Sequence, residues 1–94
     1  MEKIVIEGFM LDRLKLNSNA LVLYAILWCD SKRGKDKVQN DFARYSGMMN
    51  VAIPTYYSAL RKLTERGLVR EAERGMITVT DKEVDRSPFK RQKN

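Results

Sequence analysis

The most apolar stretch of the chain is ALVLYAILWC at residues 20–29. Its apolar side chains repeat at helical spacing on two adjoining faces. Because a helix that is apolar over most of its circumference is buried, this stretch predicts the central core helix, ending near Asp30. Asn17 or Ser18 is suited to cap its start. The spacing assigns both Trp28 and Cys29 to the core.

Before this helix, residues 3–6 (KIVI) are β-branched and short, which is typical of an edge strand or a packing arm. Apolar residues at positions 9, 10, 11 and 14 then have the spacing of one or two helical turns, ending near Leu16. We interpret residues 1–13 as an N-terminal arm of the domain.

A second, shorter helix is predicted after the polar loop SKRGKDK at residues 31–37. Val38 is an isolated apolar residue that predicts a strand of bridge length. Asn40 or Asp41 can cap the helix, with capping as the expected role of Asn40, and Gly47 is predicted to end it.

The third predicted helix spans about residues 54–66. Its apolar stripe repeats at i, i+4 and i+7: Tyr56, Leu60 and Leu63. Pro54 suits the first turn, where a missing N–H costs nothing. Gly67 after Arg66 can adopt positive φ and ends the helix. The stripe predicts that Tyr56 faces the core, and it leaves the orientation of Tyr57 open.

A β-hairpin follows, with arms at residues 68–72 and 76–80 and a turn at Glu73, Arg74 and Gly75. Residues 81–94 are polar and basic and predict a flexible tail. The sequence therefore predicts one domain over residues 1–80, of the α+β class but mostly α, with three helices and a C-terminal two-stranded hairpin.

Two segments resemble the winged helix-turn-helix family of DNA-binding domains. TYYSALRKLTERGLV at residues 55–69 resembles its recognition helix, with matches at Thr55, Leu60, Leu63, Gly67, Leu68 and Val69. LKLNSNALVLYAIL at residues 14–27 resembles the first helix of winged-helix domains in bacterial and phage replication-initiation proteins. As a whole, the chain resembles the winged-helix proteins of bacterial and phage replication initiation and transcription regulation. Gly47 lies further before Thr55 than the turn glycine of the common pattern. Either the turn is longer here, or Gly47 is not the turn glycine.

Composition supports a polyanion-binding protein and argues against an enzyme. The net charge is +6, which concentrates a small domain near nucleic acid or an anionic membrane surface. Histidine is absent and cysteine occurs once, which removes the usual general base and a cysteine-rich zinc site. No acidic residue stands in an apolar stretch of the kind that tunes a catalytic carboxylate. We expect no cofactor, no metal and no small-molecule ligand.

The resemblance implies that the third helix lies in the major groove and that the hairpin is a wing. The implied DNA-contacting residues on that helix are Thr55, Tyr57, Ser58, Arg61 and Lys62. Arg44 in the second helix and Arg74 at the tip of the wing are the others. Arg61 can pair with guanine or phosphate, and Lys62 with phosphate. The alternative for these residues is an ordinary solvated surface, except for Tyr57, whose alternative is an inward-facing side chain.

Other cations leave alternatives open. The loop cations Lys32, Arg33, Lys35 and Lys37, and the tail cations Lys90, Arg91 and Lys93, can contact the DNA backbone or only keep their segments soluble. Gln39 and Asn40 stand where the start of a helix can approach a phosphate.

The expected function is double-stranded DNA binding in transcription regulation or replication initiation, as a homodimer on paired half-sites. The arm and the tail are the only candidate dimer surfaces. A cytoplasmic protein, associated with the nucleoid when bound to DNA, is expected, because the longest apolar run is ten residues and a bilayer span needs about 20. The alternative is a winged-helix module that docks protein in a replisome or phage regulatory complex, which Glu65, Glu71 and Glu73 favour.

Overall fold

The computed structural model describes residues 3–83. Within them, four helices and three short strands follow one another along the chain. Their order is α1 (Gly8–Asp12), α2 (Ser18–Asp30), β1 (Val38–Gln39), α3 (Phe42–Met49), α4 (Ile53–Glu65), β2 (Val69–Glu71) and β3 (Met76–Val79). This composition of elements confirms the predicted fold class, which is α+β and mostly α.

The predicted core helix is α2, with Asn17 at its N-cap and Asp30 as its last residue. Every residue from Leu23 to Trp28 is buried, as its all-round apolar pattern predicts. Tyr24 stacks on Trp28 and donates a hydrogen bond of 2.7 Å to the carbonyl of Thr80, which ties α2 to the end of β3. The assignment of Cys29 to the core is wrong, because its side chain is exposed.

The N-terminal segment does not form the edge strand that its β-branched residues allow. Residues 3–7 have no regular secondary structure, and α1 follows as a single short helix. Phe9 of α1 packs edge-on against the rings of Tyr24 and Trp28. The segment is therefore an arm that is anchored to α2 through Phe9.

The predicted end of the second helix at Gly47 is wrong. α3 continues to Met49, and Asn50 ends it with the left-handed φ of 61°. Met48 and Met49 pack against the core, which favours continued helix, and asparagine is the residue after glycine best suited to the left-handed position. The turn between α3 and α4 is therefore residues 50–52, and Gly47 is not the turn glycine.

Asn40 does not cap α3, although capping was its predicted role. Asp41 is the N-cap, and its carboxylate accepts a hydrogen bond of 3.3 Å from the Arg44 N–H. Asn40 instead accepts a hydrogen bond from the Tyr56 hydroxyl through its Oδ1. Its side chain thus links the start of α3 to α4.

The third predicted helix is α4, displaced by one residue from the expected 54–66. Pro54 lies in its first turn, and Gly67 follows with a φ of 73°. Its predicted apolar stripe is buried at Tyr56, Leu60 and Leu63. Through this stripe α4 packs against α2, α3 and β2.

The predicted hairpin is confirmed, but the sheet has a third strand that the sequence did not pair. β2 and β3 are antiparallel, with Arg70 opposite Thr78. β1 adds to the other edge of β3, with Val38 opposite Ile77, so the strand order is β1-β3-β2. Val69, Ile77 and Val79 are buried on the face that meets the helices.

The first residues of the predicted tail are held against the domain. Arg13 lies 3.5 Å from the carboxylate of Asp81, and Arg66 binds Glu83. These two ion pairs join the residues directly after the predicted boundary to α1 and α4. The remaining tail, with Lys90, Arg91 and Lys93, lies outside the described residues.

Candidate nucleic-acid interface

The outward face of α4 is opposite its buried stripe. Tyr57, Ser58, Arg61 and Lys62 are exposed, and Thr55 is half-buried. This placement follows from the period of the helix, because Tyr56, Leu60 and Leu63 occupy the core side. The structure thus brings five of the seven predicted contact residues onto one helix.

Arg61 lies on the side of α4 that faces the hairpin. It lines a depression of about 340 Å³ together with Tyr57, Leu60, Thr64 and Glu71. Its lining combines a cation, a carboxylate, an aromatic ring and an aliphatic side chain. Glu71 is on this side because it alternates with Arg70 along β2 and shares the inner face with Val69. A ligand that approaches Arg61 therefore also approaches the negative charge of Glu71.

Lys62 lies on the other side of α4, toward the connection between α1 and α2. It lines a second depression, of about 270 Å³, whose wall includes Lys15. Two lysine side chains therefore belong to one concave surface beside α4. Sequence reasoning missed Lys15, because it lies far from Lys62 in the chain and only the fold brings the two to one surface.

Tyr57, whose orientation the sequence left open, is 40% exposed. Its ring centroid lies 6.1 Å from that of Phe42 at the start of α3. Ile53 stands one helical turn before Tyr57 on the same side of α4, and both Phe42 and Ile53 are 41% exposed. We call Phe42, Ile53 and Tyr57 the aromatic patch. Its apolar side chains suit contact with base edges, ribose or thymine methyl groups.

The hydroxyl of Tyr56 fixes α4 against the start of α3. Burial raises the pKa of Tyr56 to about 12, so the hydroxyl is protonated at neutral pH and can donate. Its acceptor is Asn40 Oδ1. The stacked pair of Tyr45 and Tyr56 adds a second contact between the two helices. The aromatic patch therefore lies across two helices whose relative position is fixed.

The arginines divide into two groups. Four are bound by acidic side chains elsewhere in the fold: Arg13 by Asp81, Arg33 by Glu7, Arg44 by Asp30 and Arg66 by Glu83. The other three arginines within residues 3–83 have no ion-pair partner there: Arg61, Arg70 and Arg74. All three belong to α4 and the hairpin. The arginines without an ion pair within residues 3–83 therefore lie on α4 and on the hairpin of β2 and β3, which follow the turn at residues 50–52.

The two predicted contacts outside α4 have different surroundings. Arg44 Nη1 lies 3.0 Å from Asp30 Oδ2, and its guanidinium lies over the ring of Tyr45, so the fold holds this side chain. Arg74 is exposed at the tip of the hairpin. It adopts a left-handed φ of 61°, followed by Gly75 at 70°, which makes the turn tight.

Arg70 is an exposed cation that sequence reasoning did not select. Strand alternation was the available signal, because the buried Val69 places Arg70 on the outer face of the sheet. It therefore points away from the face that packs on α4.

The cations of the loop after α2 also fall into two groups. Lys32 binds Asp36 and Arg33 binds Glu7, whereas Lys35 and Lys37 are exposed and have no ion pair among the described residues.

The donors of this surface suit an oxyanion better than a metal. Guanidinium, ammonium and hydroxyl groups donate hydrogen bonds to phosphate oxygens, and arginine also pairs with guanine. Among the described residues, no three Asp, Glu or Cys side chains come together as a metal site. In the same part of the chain, no helix combines the length and the apolar character needed to cross a bilayer.

Comparisons with known protein families, curated proteins and solved structures find no match to this chain.

Proposed function

We propose that the chain is a winged helix-turn-helix domain that binds double-stranded DNA, with α4 in the major groove and the hairpin as the wing. In this proposal α2, α3 and α4 are the three helices of the motif, and α1 with the preceding arm is an addition to it. A role in transcription regulation or in replication initiation is part of the proposal, and it rests on the resemblance of residues 14–27 and 55–69 to such domains.

The connection between α3 and α4 supports the helix-turn-helix interpretation. Helices in this motif are joined by a turn of about three or four residues. Here α3 ends at Met49 and α4 begins at Ile53, which leaves residues 50–52 as the turn. The strands around the helices also fit, because β1 lies between α2 and α3 and pairs with the hairpin that follows α4.

The single observation that carries the proposal is the division of the arginines. The full chain has a net charge of +6, so it has more cations than acidic partners, and the excess cations can lie anywhere on its surface. In the described chain the unpaired arginines are Arg61, Arg70 and Arg74, on the element proposed to enter the major groove and on the hairpin beside it. Arg61 is expected to contact a guanine or a phosphate, and Arg74 the backbone or minor groove beside the site.

Binding of the full chain to a fluorescent duplex tests the proposal. Fluorescence anisotropy with a random-sequence duplex should show binding in the micromolar range at about 50 mM salt. The affinity should fall with a logarithmic salt slope of about −3 or steeper, because three or more phosphates lose their counterions. A duplex that is not bound at low salt by tens of micromolar protein would contradict it.

Glu71 should oppose DNA binding. Its carboxylate shares a depression with Arg61, so it repels phosphate and competes for the guanidinium. The change Glu71→Gln keeps the shape of the side chain and should raise duplex affinity by about 2- to 5-fold, as measured by anisotropy. Asp12→Asn on α1 removes the same charge and is the matched control. An equal gain in both variants would mean that only net charge matters.

A second function is favoured by the composition of the same surface. Glu71 and Arg61 line one depression together with Tyr57, which belongs to the exposed aromatic patch. The surface therefore combines opposite charges with exposed aromatic side chains, a composition that suits a protein partner. In this alternative the winged-helix module docks protein in a replisome or phage regulatory complex. A lack of duplex binding at low salt would favour it over DNA binding.

A further inference from the structure

The exposed large apolar side chains of the described residues form two groups. One is the aromatic patch, which belongs to the proposed DNA-binding surface. The other lies within seven consecutive residues at the N-terminus, where Val5 is 47%, Ile6 44% and Leu11 52% exposed. We call these three side chains the N-terminal patch. Exposed apolar side chains this close together in the chain favour a segment that associates with another apolar surface.

The backbone of the same segment is also without partners. Within residues 3–83, no backbone hydrogen bond involves residues 4–6, and this segment pairs with none of the three strands. Ile4 packs against the core, which holds the segment on the domain surface. An unpaired segment of β-branched residues can add a strand from another chain, with main-chain hydrogen bonds supplying the contact.

The sequence of the segment is complementary to itself. When Lys-Ile-Val-Ile-Glu, residues 3–7, pairs antiparallel with a second copy about Val5, each Ile4 lies opposite an Ile6. In the same register each Lys3 lies opposite a Glu7, so opposite charges flank an apolar centre. Such cross-strand pairs stabilise a ribbon. Arg33 Nη1 already binds the Glu7 carboxylate at 2.8 Å, but a carboxylate has acceptor positions for more than one donor.

We propose that residues 3–7 of two copies form an antiparallel two-stranded ribbon with Val5 at the two-fold axis, and that this ribbon makes the chain a homodimer. The partner is a second copy of this chain, because the register places the charges of one copy against the opposite charges of the other. The ribbon lies on the arm and uses none of the side chains proposed to contact DNA. The dimer is therefore independent of the DNA-binding proposal.

The expected dimer is weak. A standard protein interface buries about 1,600 Å², and a five-residue ribbon buries less. We therefore expect a Kd on the order of tens of micromolar. Sedimentation velocity of the full chain without DNA should show monomer at about 5 µM and mostly dimer at about 300 µM. Monomer at both concentrations would overturn the proposal.

Two variants test the register. Val5→Cys in a Cys29→Ser background places two thiols at the axis, where facing Cα atoms are about 4.5–5.5 Å apart and within reach of a disulfide. With oxidised glutathione it should form a covalent dimer at least about tenfold faster than the control Ala43→Cys in the same background. Equal rates at the two positions would mean random collision and would contradict the ribbon.

Val5→Glu tests the contact itself by bringing two carboxylates together at the axis. It should shift the dimer Kd upward by at least tenfold, while the control Ala43→Glu leaves it unchanged. Far-UV circular dichroism and the melting temperature report whether both variants are folded. A folded Val5→Glu variant that dimerises like the original chain would exclude this register.

Discussion

Replacing both Arg61 and Lys62 with alanine should weaken binding to a random-sequence duplex by about 10- to 100-fold near 100 mM salt. Arg61 lines the depression on the hairpin side of α4, and Lys62 lines the depression on the Lys15 side. The double variant therefore removes a cation from each side of the helix proposed to enter the major groove. If each cation neutralises one phosphate, the salt slope should become shallower by about 1.8.

The matched control for this experiment is the double variant Lys35→Ala and Lys37→Ala. It lowers the net charge by the same two units, and neither lysine has an ion pair among the described residues. Anisotropy at several salt concentrations should show a much smaller loss for this control. Equal losses would mean that the protein attracts DNA through net charge alone, and full affinity in the Arg61 and Lys62 variant would exclude the proposed helix.

The second large effect is expected from Gly34→Ala, which should lower the free energy of unfolding by about 2–4 kcal/mol. Gly34 has a φ of 87°, where a side chain is strained. A Cβ at this position would lie 2.8 Å from the backbone oxygen of Val79 and 3.2 Å from Trp28 Cζ3. Because the oxygen belongs to β3, relief requires movement of the sheet or of the loop. Urea denaturation should report the loss, and the melting temperature should fall by roughly 10–25 °C.

Gly8→Ala is the matched control for this change. Gly8 begins α1, its φ is not in the left-handed region, and a Cβ there meets nothing within 4 Å. Its unfolding free energy should change by less than about 0.5 kcal/mol, or rise slightly because alanine favours helix. A Gly34→Ala variant as stable as the Gly8→Ala variant would show that the loop after α2 can move away from β3 at little cost.

The candidate site was predictable where it depends on one helix. The period of the buried stripe already places Ser58, Arg61 and Lys62 outward, because side-chain direction within a helix follows from spacing. It left Tyr57 open, and only the structure shows that this side chain is 40% exposed. The hairpin tip at Arg74 was predictable for a similar reason, since the turn and its glycine are local. The surroundings of these residues were not predictable, because Glu71 and Lys15 approach α4 only through packing of distant segments.

Which arginines form ion pairs also could not be predicted from the sequence. In the sequence, Arg44 and Arg61 are equivalent as exposed helix cations. In the structure, Asp30 binds Arg44 from the end of another helix, whereas Arg61 has no ion-pair partner within residues 3–83. An ion pair depends on where two separate elements meet. Sequence spacing therefore says which cations are outward, and only the fold says which of them remain unneutralised.

By itself, the sequence determined the buried core helix, the inward stripe of α4 and the hairpin, because apolar period and turn residues act over a few neighbouring positions. Only the tertiary structure decided that β1 pairs with β3, that α3 passes Gly47 and ends at Asn50, and that Gly34 lies against β3. Each of these depends on contacts between segments far apart in the chain. Their free energies are set by packing and register, which no local pattern encodes.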